Sequence, residues 1–217
     1  MTRMDVTLDV ALKGADLFAS TAALTLRDKM GLEDEVIGVA RLDRYRFVIE
    51  TPCDPEETLA AVEGVFDRRS TFYNRNKHEY ALTARLDGAT RFRTSVTGAG
   101  PGALRSRWVR SLGRGETLIL ELTVHDDDDE RVAALGAKVQ DDLRRVGGLA
   151  DTKVSCHEAS TVWWLALSAG DPEEAREVAR RIALTRSRDE GLLANPAYQR
   201  VDFGAACTPA NFVESAG

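Results

Sequence analysis

The stretch Gly31–Glu57, GLEDEVIGVARLDRYRFVIETPCDPEE, recurs 117 positions later as Gly148–Glu174, GLADTKVSCHEASTVWWLALSAGDPEE, with no gap between the two copies. Seven of the 27 aligned positions are identical, namely Gly31/Gly148, Leu32/Leu149, Asp34/Asp151, Asp54/Asp171, Pro55/Pro172, Glu56/Glu173 and Glu57/Glu174. Several of them are residue types that end one helix and begin the next. A chain built from two copies of one unit presents a paired surface, which favours a binding or scaffolding role.

The first copy begins upstream of this stretch, where apolar and polar residues alternate as they do in a strand. Ala19, Ala22 and Leu26 then recur with helical spacing, and Gly31 is placed to end that helix. Asp54 is placed to cap a second helix that has Pro55 at its first position. The elements predicted for this copy are strands at 5–12, 36–41, 45–50 and 78–84 and helices at 16–30 and from 55 onward.

The second copy repeats this order. An apolar stripe from Val132 to Val146 has helical spacing, and Asp171 precedes Pro172 as Asp54 precedes Pro55. The elements predicted for this copy are strands at 117–124, 153–157, 162–167 and 198–203 and helices at 132–146 and from 172 onward. Each copy is therefore predicted to follow the order β-α-β-β-α-β.

The predicted fold class is α+β, with two ferredoxin-like units whose antiparallel sheets carry helices on one face and are related by a pseudo-twofold axis. The expected boundaries are a first unit at 1–82, an Arg/Gly-rich linker at 83–115, a second unit at 116–203 and a flexible tail at 204–217. The two sheets have two ways to associate, face to face or edge to edge. Either arrangement hides a sheet face or a strand edge.

Bulk properties narrow the class of protein. The net charge of −6 makes nucleic acid an unlikely partner for the chain as a whole. The longest apolar runs fall well short of the roughly 20 residues that span a bilayer, and the N-terminus lacks the apolar core of a signal peptide. Cys53, Cys156 and Cys207 are odd in number and lack metal-ligand spacing, which fits free thiols in a reducing compartment. We therefore expect a cytoplasmic protein that has no membrane partner.

The segment between the copies is strongly basic. Its seven arginines are Arg85, Arg91, Arg93, Arg105, Arg107, Arg110 and Arg114, against the single acidic residue Asp87. With Trp108 they form a candidate grip for phosphate, RNA or an acidic partner, but the favoured interpretation is a basic connector lying on the protein's own acidic surface. Gly98–Gly102 is a flexible turn signal, and no Gly-Lys-Ser/Thr follows it as in a phosphate-binding loop.

Two further clusters are candidates for chemistry. The run Asp126–Asp129 with Glu130 lacks the ligand spacing of a calcium loop, so we expect a solvated loop whose last aspartate caps the following helix. Cys156 and His157 are neighbours on a predicted strand and should point to opposite faces, which excludes a hydrogen-bonded nucleophile and base.

The remaining aromatic and imidazole residues favour packing. Trp163 and Trp164 are adjacent on a strand, so one ring should enter the core and the other should face the partner sheet. His78 and His125 have no accompanying ligand pattern. No catalytic, cofactor-binding or metal-binding residue is therefore assigned, and no cofactor is expected.

The two copies resemble the small PurS subunit of phosphoribosylformylglycinamidine synthase. The resemblance lies in Val6–Leu12, the helix that follows, Gly31-Leu32 and Val36–Glu50, and in Gly191–Pro196 (GLLANP), which is similar to the family's closing segment. It covers both copies but neither the linker nor the tail. The family's aspartate-proline-glycine before the first helix is replaced by Gly14-Ala15-Asp16 and by Asp126–Asp129.

The resemblance implies a non-catalytic accessory subunit in purine biosynthesis. Such subunits bridge an ATP-dependent synthetase and a glutaminase, and they pair with a second copy of themselves; here one chain would supply both halves. Two alternatives stay open. The first is a small-molecule-binding regulatory module, because paired ferredoxin-like units also form such sensors. The second is an enzyme that holds a phosphorylated substrate through Arg105, Arg107 and Arg110.

Overall fold

The computed structural model describes residues 1–68, 71–96, 100, 102–112, 117–185 and 191–215, and it confirms the α+β class. The described strands form one seven-stranded antiparallel sheet. The strands are β1 Thr2–Leu12, β2 Val36–Thr51, β3 His78–Leu86, β4 Ala89–Thr94, β5 Leu118–His125, β6 Lys153–Leu167 and β7 Val201–Phe203. The helices are α1 Leu17–Leu24, α2 Pro55–Arg68, α3 Ala103–Ser111, α4 Asp129–Arg145, α5 Pro172–Ala183 and α6 Pro209–Glu214, with a π-helical turn, Thr25–Lys29, continuing α1.

The predicted strand pairs 36–41/45–50 and 153–157/162–167 are each one long strand, β2 of 16 residues and β6 of 15. The prediction of a break at Asp43-Arg44 was wrong because these residues stay in register with β1. Arg44 pairs with Asp9, with Nε 2.7 Å from Oδ1 and Nη2 3.0 Å from Oδ2. Each copy therefore follows the order β-α-β-α-β.

The sheet has the strand order β4-β3-β1-β2-β6-β5-β7. In the repeat, β1, β2 and β3 correspond to β5, β6 and β7. The strands β3-β1-β2 of the first copy are therefore followed by their counterparts from the second copy in reverse order, β6-β5-β7. Strand β4 and helices α3 and α6 fall outside the repeat.

The chain divides into two compact units, each made of three segments. Unit 1 contains Met1–Lys13, Asp43–Ala103 and Asp128–Ala159, and unit 2 contains Gly14–Leu42, Leu104–Asp127 and Ser160–Gly217. Each unit draws on both sequence copies, because β2 and β6 each contribute one part to either unit. The boundaries 1–82 and 116–203 predicted from the repeat follow the sequence copies and not these compact units.

The core of unit 1 lies between its strands and helices α2 and α4. Phe47, Phe66 and Phe72 form a three-ring cluster of mainly edge-to-face contacts, with centroids 5.3–5.7 Å apart. Helix α4 approaches β6 closely, because a Cβ placed on Gly136 would lie 2.5 Å from the backbone nitrogen of Cys156. Only glycine fits at this crossing.

The core of unit 2 lies against helices α1 and α5. Cross-strand partners such as Leu122 and Trp163, or Leu120 and Leu165, share this face of β5 and β6. Small residues on both helices, among them Ala19 on α1 and Ala179 on α5, are buried in this core. The helix that follows β1 thus packs in unit 2, whereas its counterpart α4 packs in unit 1.

The identical glycine-leucine pairs have the same structural role in both copies. Gly31 and Gly148 have φ values of 66° and 70°, the left-handed conformation that ends a helix. The amides of Leu32 and Leu149 each donate, at 3.2 Å, to the carbonyl six residues earlier. Both leucine side chains are buried, so this helix end is one repeated device.

The identical Asp-Pro-Glu-Glu runs begin α2 and α5. Oδ1 of Asp54 accepts from the amide two residues later at 2.8 Å, and Oδ1 of Asp171 does so at 2.9 Å. Two glutamates follow in the first turn of each helix, where they complement the helix dipole. The capping predicted from the sequence is confirmed in both copies.

The predicted linker and tail contain ordered elements. Residues 83–115 include the end of β3, strand β4 and helix α3, and residues 204–217 include helix α6, whose Phe212 is buried. The small, polar composition of the predicted tail does not indicate this helix or its buried Phe212 ring. The turn signal Gly98–Gly102 lies mostly outside the described residues.

Replacing either helix-ending glycine with alanine should destabilise the protein. No atom lies within 4 Å of a Cβ built on Gly31 or Gly148, so Gly31→Ala and Gly148→Ala should each cost about 1–2 kcal/mol through the backbone alone. The measurement is the free energy of unfolding in urea. Gly64→Ala is the control, because it lies within α2 with open space around it and should stabilise by about 0.5–1 kcal/mol. Unequal costs at 31 and 148 would contradict their structural equivalence.

Candidate interaction surface

Helix α1 exposes three large apolar side chains, which we call the α1 patch: Leu17, Phe18 and Leu24. Their exposed fractions are 76%, 69% and 59%. Leu17 and Leu24 are seven residues apart, so they lie on one face of the helix. Ser20 and Thr21, both exposed, lie between them. Single exposed apolar residues are common, but a group on one helix marks a contact surface.

Polar contacts hold the start of α1 and the ring of Phe18 in place. Oδ1 of Asp16 accepts from the amides of Phe18 at 2.8 Å and Ala19 at 3.2 Å, which starts the helix at Leu17. Oδ2 of Asp16 lies 3.3 Å from Nε of Arg41. The Arg41 guanidinium stands 4.8 Å from the centroid of Phe18, a cation–π contact that orients an otherwise exposed ring.

The other end of α1 widens into the π-helical turn, in which the amide of Met30 donates to the carbonyl of Thr25 at 3.1 Å. π-helical turns are rare in proteins as a whole. Those that do occur are often found at functional sites. Arg27, Asp28 and Lys29 are exposed here. The α1 patch therefore lies between the Asp16–Arg41 ion pair and a turn that exposes Arg27, Asp28 and Lys29.

The counterpart helix α4 provides an internal comparison for this patch. With the 117-residue offset, the buried positions of the two helices coincide at Ala19/Gly136, Ala22/Val139 and Leu26/Leu143. Of the exposed positions, Leu17, Thr21 and Leu24 correspond to Ala134, Lys138 and Asp141, whereas Phe18 corresponds to Leu135, which packs against the core of unit 1.

The fold therefore accepts small or charged residues at these exposed positions. The leucines at positions 17 and 24 therefore supply nothing that α4 needs at the equivalent positions for packing on the sheet. Their presence points to contact with another molecule.

Three arginines of the basic segment bind the protein's own acidic groups, as the favoured interpretation predicts. Arg91 lies 2.6 Å and Arg93 2.9 Å from carboxylate oxygens of Glu56 in unit 1, and Arg105 lies 3.1 Å from Glu121 in unit 2. Arg85 and Arg110 are exposed, burial lowers the pKa of Arg107, and Arg114 lies outside the described residues.

Arg105, on α3, makes three hydrogen bonds and one cation–π contact. Nη1 donates to the carbonyl of Phe212 at 2.9 Å and to Oγ of Ser215 at 2.7 Å, and Nη2 donates to Oε2 of Glu121 at 3.1 Å. The guanidinium also stands 4.5 Å from the centroid of the Phe212 ring. Arg105 therefore fastens α6 to β5 and is not presented to a phosphorylated substrate.

Trp163 enters the core of unit 2 as predicted, but Trp164 does not face a partner sheet. Its ring contacts Trp108 of α3 at 5.6 Å and Phe212 of α6 at 5.3 Å, and Nε1 donates to Glu121 at 3.1 Å. Because Trp163 and Trp164 lie on opposite faces, unit 2 carries helices on both faces of its strands. The prediction of helices on one face was wrong because α3 and α6 lie outside the repeat.

Cys156 and His157 point apart, as their strand positions predict. Cys156 is buried, and burial raises the pKa of its thiol to about 11. His157 is exposed, with Nε2 2.8 Å from Oγ of Ser155. The thiol is therefore protonated and separated from the imidazole at neutral pH, which is the opposite of an activated nucleophile.

The other histidines have structural partners that the sequence pattern did not indicate. Nδ1 of His78 accepts from the amide of Asn74 at 3.0 Å in the turn before β3, and burial lowers its pKa. Nε2 of His125 lies 2.7 Å from Oδ2 of Asp202, and His125 faces Ser160 across the β5–β6 pair. His125 and Ser160 are both buried, whereas the side chain of Asp202 is 68% exposed.

The acidic run and the closing segment both form local structure. Asp128 caps α4 by accepting from the amide of Arg131 at 2.9 Å, one residue before the aspartate that we predicted. Ala194 is buried, and Oδ1 of Asn195 accepts from the amide of Ala197 at 3.0 Å, which shapes the turn at Pro196. Within the described ranges, no group of three or more His, Cys, Asp and Glu side chains is arranged to hold a metal ion.

No family model matches the chain, and no curated protein or solved structure matches it significantly. The resemblance to PurS therefore rests on the residues quoted above. Among the described helices, none combines the length and apolar character that crossing a bilayer requires.

The α1 patch was missed at the level of sequence. The apolar stripe predicted from the sequence consists of Ala19, Ala22, Ala23, Leu26 and Met30, and it describes only the inward face of the helix. The available signal was that Leu17, Phe18 and Leu24 lie outside this stripe, so a two-sided apolar helix was already present in the pattern.

Removing the Arg105 side chain should loosen α6. Arg105→Ala removes three hydrogen bonds, one of which neutralises part of the charge on the Glu121 carboxylate. We therefore expect a loss of about 2 kcal/mol in the free energy of unfolding. The C-terminal residues should also become sensitive to limited proteolysis. Arg110→Ala, on the same helix but exposed, is the control and should stay within about 0.5 kcal/mol of wild type. An equal effect of both substitutions would disprove the fastening role.

The raised pKa of Cys156 has a measurable pH dependence. Its folded-state value of about 11 lies above the ordinary value of 9.0, so the neutral thiol contributes its full stability below pH 9. This contribution is lost as the pH rises from 9 toward 11. The stability difference between wild type and Cys156→Ala, measured by urea unfolding, should therefore shift against wild type over that range. A difference that does not change with pH would contradict the raised pKa of the Cys156 thiol.

Proposed function

We propose that the chain is a non-catalytic accessory subunit of the PurS type, a fused pair of PurS-like, ferredoxin-like units with pseudo-twofold symmetry. In this role it bridges the ATP-dependent synthetase and the glutaminase of phosphoribosylformylglycinamidine synthase in cytoplasmic purine biosynthesis. The observation that carries the proposal is the strand order β3-β1-β2 followed by β6-β5-β7. One chain then supplies both halves of a pair that single-unit relatives form from two chains.

Contacts at the ends of the long strands support the paired architecture. In unit 1, the hydroxyl of Thr152 donates to the hydroxyl of Thr51 at 3.1 Å. In unit 2, the amide of Ser168 donates to the carbonyl of Glu35 at 2.9 Å. With the 117-residue offset, Glu35 corresponds to Thr152 and Thr51 to Ser168. The same two positions therefore meet twice, each time with one residue from either copy, as in a symmetric dimer.

The contacts and burial of the potentially reactive side chains support a scaffold and not an enzyme. Arg105, which the enzymatic alternative requires for substrate, is committed to α6 and Glu121. The Cys156 thiol is buried and protonated, and His125 is buried beside Asp202. These groups stabilise the fold, whereas the α1 patch is a surface on which another molecule can pack.

The test is reconstitution of the complex from purified components. We expect the full chain to co-elute in size-exclusion chromatography with the synthetase and glutaminase of its source organism. We also expect it to raise glutamine-dependent turnover of the synthetase without changing turnover supported by free ammonia. An unrelated protein of similar size is the control for non-specific association.

A folded chain that neither binds these enzymes nor changes their turnover would contradict the proposal. The regulatory alternative makes a different prediction in that case. A small ligand that binds only the folded state would raise the melting temperature by mass action.

A further inference from the structure

We propose that helix α6 covers a binding site for a phenylalanine-type carboxylate, a ligand that carries a benzyl group and a carboxylate on one carbon atom. The site, which we call the α6 slot, is formed by Arg105, Trp108 and Trp164, and in this structure Phe212 of α6 fills it. All four residues belong to unit 2. The inference does not depend on the enzymes named above, so it stands or fails separately from the proposed function.

The ring of Phe212 shows that the α6 slot accepts a benzyl group. Its centroid lies 5.3 Å from that of Trp164 and 6.0 Å from that of Trp108, with interplanar angles of 83° and 69°. These are the edge-to-face contacts that aromatic pairs prefer. The Arg105 guanidinium stands 4.5 Å from the same centroid and adds a cation–π contact. Phe212 is only 3% exposed, so the slot encloses the whole benzyl group.

Two oxygen atoms of α6 lie where a carboxylate would bind. The carbonyl oxygen of Phe212 and Oγ of Ser215 are 3.1 Å apart, and both accept from Nη1 of Arg105, at 2.9 and 2.7 Å. The carboxylate of a phenylalanine-type ligand takes the covalent position of the Phe212 carbonyl and presents two oxygens in one charged group. Hydrogen bonds from a guanidinium to a carboxylate are stronger than those to neutral oxygens. Such a ligand therefore satisfies Arg105 better than α6 does.

Contacts outside α6 hold Arg105 in position for this ligand. Nη2 donates to Oε2 of Glu121 at 3.1 Å, and the same oxygen accepts from Nε1 of Trp164 at 3.1 Å. Arg105 lies on α3, Glu121 on β5 and Trp164 on β6, so these bonds persist when α6 leaves. Glu121 also balances the charge of Arg105. The slot therefore favours a ligand that brings an aromatic ring over a small anion that brings charge alone.

Helix α6 is built to leave the slot without disturbing the sheet. It is six residues long, and Phe212 is its one buried residue. A helix this short does not persist in isolation, so its order depends on Phe212 and on the bonds from Arg105. Backbone pairing with Ile119 of β5 fixes the chain at Cys207, immediately before the helix. The residues from Thr208 onward therefore detach as one segment.

Competition with α6 determines the affinity that we expect. A ligand of about 15 non-hydrogen atoms that binds with ordinary ligand efficiency has a dissociation constant of about a millimolar. In wild type, α6 is tethered beside the slot and competes at a high effective concentration. The apparent dissociation constant should therefore be at least about tenfold weaker for wild type than for a chain whose α6 lacks the phenyl ring.

Titration of N-acetyl-L-phenylalanine into the full-length Phe212→Ala variant tests the slot, with the fluorescence of Trp108 and Trp164 as the readout. We expect a saturable change with a dissociation constant of about a millimolar. Adding Arg105→Ala to this variant should weaken binding at least about tenfold, because the charge-assisted hydrogen bonds are lost. Adding Arg110→Ala is the matched control. Arg110 is exposed on the same helix, so its loss should leave the affinity unchanged.

Three further ligands separate the contributions of ring and charge and identify the source of the ligand. N-acetyl-L-phenylalanine amide keeps the ring but loses the charge, and it should bind at least about tenfold more weakly. N-acetyl-L-alanine keeps the carboxylate but lacks the ring, and it should not bind. Free L-phenylalanine distinguishes two sources of the same chemistry. Binding equal to that of the acetylated acid indicates a free amino acid, and binding of the acetylated acid alone indicates the carboxyl-terminal phenylalanine of another chain.

Limited proteolysis of wild type is a second measurement, which does not require the Phe212→Ala variant to fold. At concentrations well above its apparent dissociation constant, N-acetyl-L-phenylalanine displaces α6. Cleavage after Cys207 should then become several-fold faster, whereas the amide should leave the rate unchanged. A ligand that bound elsewhere and stabilised the docked chain would slow this cleavage.

Three results would overturn the proposal. A folded Phe212→Ala variant could show no saturable binding, its affinity for the acid could be the same with and without Arg105, or the acid could fail to accelerate cleavage of the wild-type C-terminus. Each of these results is independent of binding to the synthetase or the glutaminase.

Discussion

The continuity of β2 through Asp43 and Arg44 is the constraint on which the rest of the structure depends. Two charged residues inside a strand resemble a turn, yet Arg44 is nearly buried and forms a two-bond pair with Asp9 on β1. Removing one partner from such a pair typically costs about 3–5 kcal/mol. The pair keeps β2 straight where a hairpin would have closed the first copy on itself.

A continuous β2 changes where the neighbouring helix packs. Within β2, the residues before Asp43 belong to unit 2 and the residues from Asp43 onward belong to unit 1. Helix α1 therefore packs in the core of unit 2 with α5, which comes from the other copy. The same holds for β6 and α4. Neither copy contains its own complete core, and the two copies fold as partners. This mutual dependence explains why the repeat persists in helix ends, caps and strand lengths when few side chains are identical.

The features that the sequence predicts correctly are those at positions where few residue types fit. Gly31 and Gly148 end helices, and Asp54 and Asp171 begin them, because few other residues serve at those positions. The features that the sequence does not predict depend on long-range contacts. Three such contacts join residues far apart in the sequence, so no local pattern predicts them. They are the Arg44–Asp9 pair, the hydrogen bonds of Arg105 to α6, and the ring cluster around Trp164. The α1 patch was missed because exposure becomes clear only once the buried face is known.

The divergence of α1 from α4 separates what the fold requires from what the surface adds. Both helices bury the same three positions against their units, so the packing requirement at those positions is the same. Leu24 in α1 corresponds to Asp141 in α4, and Leu17 to Ala134. An exposed leucine gains no burial within the chain and carries the cost of unwanted association. Each chain therefore exposes leucines on α1 at two positions where α4 has alanine and aspartate, and this difference belongs to the surface and not to the core.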